Sequence, residues 1–184
     1  ALEIESNFLK LGKKFTKSYF IFTYPRYIMT GWFSPIINMG RIMDVGVFVH
    51  PIDTGTALKK LRKKTAQVQA QLAEREEKGL VSDPQLETAF QDIESLRESL
   101  QQATEKLFSA GLYFTLYGDS LEEINGVENE IFSILESQLV YAKQCLFQQY
   151  EGFVSTLPIN KDKLLIHTPL NSGPIASFFP FVSS

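Results

Sequence analysis

The chain has almost no cysteine and almost no histidine: Cys145 stands alone, beside His50 and His167, in 184 residues. One thiol excludes an internal disulfide. Two histidines so far apart in the chain lack the paired spacing that tetrahedral zinc sites use, so the sequence assigns no metal, and nothing local supports a Cys-His nucleophile pair. Also missing is any G-x-x-x-x-G-K-[ST] run, the loop whose backbone amides cradle nucleotide phosphates, so these residues carry no expected cofactor. No stretch approaches the roughly 18 uninterrupted apolar residues of a membrane-crossing helix. The start, Ala1-Leu2-Glu3-Ile4-Glu5, has neither the basic opening nor the apolar run of a signal peptide. A net charge of -3 argues against a surface that coats nucleic acid. Cytoplasm is the default compartment.

What is present suits one globular domain with appended segments: 44% hydrophobic and 21% charged residues, enough to bury a core. Residues 15–24 are aromatic and β-branched and stop at Pro25, which suits a strand. A short helix is expected within residues 27–39. Residues 44–50 form a nearly continuous apolar run ended by Pro51, the pattern of a covered, central strand. The period then lengthens to about 3.5: Leu58, Leu61, Thr65, Val68 and Leu72, and, past a break at residues 79–83, Leu86 through Leu107. Gly79 suits a helix stop, Asp83-Pro84 a cap and first turn, so residues 54–110 read as an antiparallel helical hairpin closed by Gly111. At 1.5 Å per residue its first helix is about 34 Å long, more than a small sheet covers, which predicts a protruding part. A strand over 112–117, a helix opened by the capping-box sequence Ser120-Leu121-Glu122-Glu123, a strand within 139–145 and a short helix over 147–156 follow. The order predicts an α+β fold: a ferredoxin-like mixed or antiparallel sheet with helices on one face and an inserted helical hairpin.

Lys59, Lys60, Arg62, Lys63 and Lys64 crowd the first hairpin helix near its start, where the helix dipole disfavours cations. They are either a solvated face or a contact for anionic headgroups, an acidic partner surface or nucleic acid. The aromatics Tyr19, Phe20, Phe22, Tyr24 and Tyr27 have only Lys17 and Arg26 for company, so core burial is a better account of them than base stacking. Most acids fall on helices among polar neighbours. Asp44, at a strand entry, is the exception, and a turn or capping role suits it better than catalysis.

The end of the chain is apolar where a solvated tail would be polar: Ile175, Phe178, Phe179, Phe181 and Val182, broken by Pro174 and Pro180. It reads as a severed connector. Leu157-Pro158 after an aromatic helix, Thr168-Pro169, a small-residue turn and the run Ala176 to Pro180-Phe181 resemble the segment leading into the ATPase domain of type IV secretion and conjugation ATPases, the CagE/TrbE/VirB family within the HerA/FtsK group. Tyr24-Pro25, Gly31-Trp32 and His50-Pro51-Ile52 follow the same family's order. The resemblance implies an amino-terminal domain over residues 1–168 and a linker over 169–184 toward a missing motor that would hold ATP and magnesium. It also implies a non-catalytic docking role at the cytoplasmic side of the inner membrane. Implied partners are inner-membrane secretion subunits, the chain's own ATPase domain and further copies of itself, with peripheral membrane contact and no nucleic acid. On this view Lys59 to Lys64 attach the domain, and Phe178, Phe179, Pro180 and Phe181 dock the motor. The competing reading is a stand-alone α+β scaffold that binds partners through its hairpin.

Overall fold

The computed structural model describes residues 2–178. The chain divides into two compact units, Ala1–His50 with Ser109–Ser184, and Pro51–Phe108. The first is built on a seven-stranded sheet: β1 (Leu2–Ile4), β2 (Leu9–Leu11), β3 (Lys14–Thr23), β4 (Met43–Pro51), β5 (Leu107–Gly118), β6 (Tyr141–Gln144) and β7 (Thr168–Asn171). The strand path is β1-β2-β3-β5-β4, with β6 added to β3 and β7 to β5. β3 and β5 pair antiparallel from Phe15 opposite Gly118 to Phe20 opposite Tyr113, and β6 joins the far half of β3 across an irregularity between Ile21 and Thr23. The α+β class read from the sequence is the one observed.

Alternation along β3 and β5 sorts their side chains onto two covered faces. On one face, α4 (Leu121–Ser137) lays Ile124, Val127, Ile131 and Leu135 over Tyr19, Ile21, Leu112, Phe114 and Leu116. Trp32, Phe33 and Ile36, around the short α1 (Ser34–Ile37), complete this core, and the Tyr19 and Phe114 rings stack 5.0 Å apart. Ser120 caps α4 by accepting the Glu123 amide at 3.1 Å.

The other face is built differently. There α5 (Gln149–Thr156) lies close against small polar residues: the Ser18 and Thr115 hydroxyls are 2.8 Å apart, those of Thr115 and Thr156 2.7 Å, and the Ser18 amide donates to Gln149 Oε1 at 2.9 Å. Gly152 permits the approach, since a Cβ there would lie 2.6 Å from the Ser18 Cβ. The expectation of helices on one face is therefore corrected to helices on both. A serine and threonine layer leaves no apolar alternation to announce a second buried face.

β4 ends the strand path instead of lying centrally, and Val45, Val47 and Val49 are partly open to solvent. The described part of the expected linker, residues 169–178, continues β7 and forms α6 (Ser172–Ala176), and Leu170, Ile175 and Phe178 pack on the core. β1 and β2, too short to stand out in the sequence, make a meander with β3.

The second unit holds α2 (Thr54–Glu77) and α3 (Pro84–Gln101). Asp53 caps α2 through the Thr56 amide at 2.8 Å, and this bond holds the exposed carboxyl below its usual range. Gly79, at φ +63°, ends α2 in a Schellman turn: its amide reaches the Glu76 carbonyl and that of Leu80 the Arg75 carbonyl, both at 3.0 Å. The Asp83 carboxylate caps α3. Thr65 on α2 donates to Glu94 on α3 at 3.0 Å, and Glu94 also pairs with Arg97.

The hairpin ends earlier than expected. Ala103 takes the left-handed position (φ +57°) of a second Schellman turn, with Thr104 reaching the Ser99 carbonyl at 3.0 Å. An alanine in that place carries none of glycine's signal. Gly111 sits within β5, where a Cβ would come within 2.4 Å of the Tyr113 hydroxyl oxygen. No helix among the described residues is long and apolar enough to cross a membrane.

Candidate functional site

β4 delivers His50 near its C-terminal end, and the segment between α5 and β7 folds back to deliver Asp162 and His167. That segment is tightly determined. Ser155 Oγ accepts the amides of Lys163 (2.8 Å) and Leu164 (3.1 Å), and the chain turns through left-handed conformations at Asn160 (φ +52°) and Leu165 (φ +53°). Asp162 Oδ1 accepts the Leu165 amide at 2.9 Å, closing an Asx-type turn.

The result gathers three potential metal ligands. One ligand atom each from His50, Asp162 and His167 lies within 4.8 Å of the other two. His167 Nε2 is 2.6 Å from Asp162 Oδ2, and the His50 and His167 rings are 5.3 Å apart between centroids. The Asp162 and His167 side chains are mostly withdrawn from water (7% and 17% exposed), whereas His50 is exposed. Around them, Ser109 Oγ lies 3.1 Å from His167 Nδ1. The Tyr113 hydroxyl accepts the Ile166 amide at 3.2 Å and has Asp162 Oδ2 (3.2 Å) and the Ile166 carbonyl (3.0 Å) within donating reach. Burial, reinforced by the Asp162 charge, pushes the Tyr113 pKa up, so that hydroxyl stays protonated and able to donate.

Spacing along the sequence dismissed these two histidines as a pair, and the fold reverses that judgement on proximity. The signal available was slight: a proline follows His50 directly and His167 two residues on, and an aspartate stands five residues before His167. His50 also helps line an apolar groove of about 580 Å³ with Phe33, Val47, Val49, Leu112 and Ile175.

The other candidates are placed elsewhere. Lys59, Lys60, Arg62, Lys63 and Lys64 are all exposed on α2, and among the described residues none has a carboxylate within 4 Å. Phe178 is 3% exposed, stacked on Tyr24 at 5.4 Å with its ring 5.9 Å from Trp32. Its ring is thus engaged within its own unit and not presented for docking. Phe179, Pro180 and Phe181 lie outside the described residues. Cys145 is buried, which pushes its thiol up to about 12 and suits packing over nucleophilic chemistry. Asp44 accepts a hydrogen bond from the Tyr117 hydroxyl, a structural role. Lys17 is buried and paired, Tyr19 is wholly buried and Phe20, Phe22 and Tyr24 are partly so, but Tyr27 is 79% exposed, so burial accounts for the aromatics of the strand and not for Tyr27. No family model matches the chain, and comparison with curated proteins finds no match.

Proposed function

We propose that the chain is a non-catalytic assembly domain that attaches to an anionic membrane surface through the basic face of α2, as the amino-terminal part of a conjugative transfer or type IV secretion ATPase. One observation carries the attachment: five cations within six positions of α2 stand exposed, with no carboxylate in ion-pair range among the described residues. Such a cluster repels itself in isolation and gains about 1 kcal/mol per basic residue beside an anionic leaflet. The machine itself is proposed from the sequence resemblance alone, which supplies the remaining parts of the reading: a cytoplasmic position peripheral to the membrane, inner-membrane subunits and further copies as partners, and nucleotide and magnesium bound by a motor domain elsewhere.

Co-sedimentation with vesicles containing phosphatidylserine or phosphatidylglycerol tests this reading. Binding should fall with salt and be lost when the five residues are changed to glutamate, because it depends on screened charge. Binding that survives charge reversal refutes membrane attachment. A second reading, a scaffold that binds protein partners through its hairpin, is favoured by the compactness of Pro51–Phe108 as a unit. It gains ground if the charge-reversed chain still captures membrane subunits.

A further inference from the structure

We infer that His50, Asp162 and His167 form a binding site for a divalent first-row transition ion, zinc foremost, that fastens the end of β4 to the loop between α5 and β7. This goes beyond the docking reading and does not depend on it. The donor set is two imidazoles and one carboxylate, a borderline-soft combination that suits zinc, cobalt or nickel and not calcium or magnesium, which favour all-oxygen shells. The three ligand atoms already lie within 4.8 Å of one another. Two ligands on a tetrahedral zinc ion sit about 3.3 Å apart, given bonds of about 2.0–2.1 Å. His167 Nε2 and Asp162 Oδ2, now 2.6 Å apart, therefore need to separate by under 1 Å, and exposed His50 is free to swing inward.

The outer partners argue for a built site over chance proximity. Metal-bound histidines place their second ring nitrogen against a hydrogen-bonding group, and bound carboxylates are themselves hydrogen-bonded. His167 and Asp162 meet these conditions: His167 Nδ1 faces Ser109 Oγ at 3.1 Å, and Asp162 is held by the Leu165 amide and lies within reach of the Tyr113 hydroxyl. Without metal, the tautomer with its proton on Nε2 donates to Oδ2 and accepts from Ser109 at Nδ1. With metal on Nε2, the ring proton moves to Nδ1 and Ser109 accepts it. A hydroxyl serves in either direction, so the exchange leaves no buried donor unmatched. Gly111 helps keep this space open, since a Cβ there would lie 2.9 Å from His167 Cδ2. Three protein ligands leave a fourth position for water or an incoming donor.

The test is calorimetric titration of chelator-treated full chain with zinc chloride, repeated with cobalt, whose visible absorption reports a tetrahedral nitrogen and oxygen shell. One equivalent should bind with a Kd tighter than about 100 μM and raise Tm by several degrees. His50→Ala, at an exposed position that leaves the fold intact, and Asp162→Asn, which keeps the carboxamide oxygen for Tyr113, should each weaken binding by at least about tenfold. A Kd weaker than that bound, or a smaller loss in either variant while circular dichroism shows native folding, overturns the assignment.

Discussion

The Lys17 ammonium lies 3.0 Å from the Glu128 carboxylate and 2.6 Å from Asn125 Oδ1, joining β3 to α4 beneath a largely closed surface, with the two charged side chains only 9% and 18% exposed. Removing one member of such a pair leaves the other charge desolvated without compensation. Lys17→Met should therefore destabilise the fold by about 3 kcal/mol in urea unfolding, and adding Glu128→Leu should recover most of that loss. A double variant no better than the single one would show that the pair acts through packing, not charge.

Lys17 also marks how far the sequence could be read. The strand, the hairpin with its Gly79 stop and Asp83-Pro84 start, and α4 with its Ser120 cap were all legible, because apolar period and cap chemistry are local. The face beneath α5 was not. Thr16, Ser18 and Thr115 look like solvent-facing residues until Gly152 lets a helix close over them. The cluster of His50, Asp162 and His167 was hidden for the same reason: it exists only once β4 and the loop after α5 are brought together, and no spacing rule spans that distance.

Two glycines should respond with opposite signs to the same substitution. At Gly46 in β4 a Cβ would sit 2.5 Å from the backbone carbonyl oxygen of Ser155, which cannot rotate away, so Gly46→Ala should cost about 1–3 kcal/mol. At Gly126 in α4 nothing lies within 4 Å of the added methyl, and a helical glycine gives up backbone entropy, so Gly126→Ala should stabilise by about 0.5–1 kcal/mol. Paired urea curves check both. A stabilised Gly46→Ala would contradict the close approach of α5 to β4.

Alkaline pH should weaken the fold. Burial raises the pKa of Cys145 to about 12 and also raises those of Tyr19, Tyr24, Tyr113 and Tyr117, so the folded chain holds these protons where an unfolded chain loses them. A raised folded pKa gives stability that is complete below the unfolded value, near 9 for the thiol, and declines as pH climbs toward the folded one. The urea midpoint at pH 10.5 should accordingly fall below that at pH 8. Cys145 should react with a thiol-specific disulfide reagent at pH 8 only as fast as the protein opens. An immediate reaction in native buffer would contradict its burial.

Phe178 separates two accounts of the end of the chain. If its ring were a joint residue awaiting another domain, Phe178→Ala would leave the stability of this chain unchanged. The geometry says otherwise: the ring is nearly inaccessible, stacked on Tyr24 and close to Trp32, in the core that α4 closes. Deleting a buried phenylalanine to its Cβ removes apolar contact and leaves a cavity, a loss of about 3–5 kcal/mol. A Tm drop of several degrees is therefore expected, with Val81→Ala, at a position 85% exposed, as the silent control. An unchanged Tm in Phe178→Ala would return that ring to the role of a connector, whereas a large drop makes residues 168–178 part of the body and moves any hinge toward a following domain beyond Phe178.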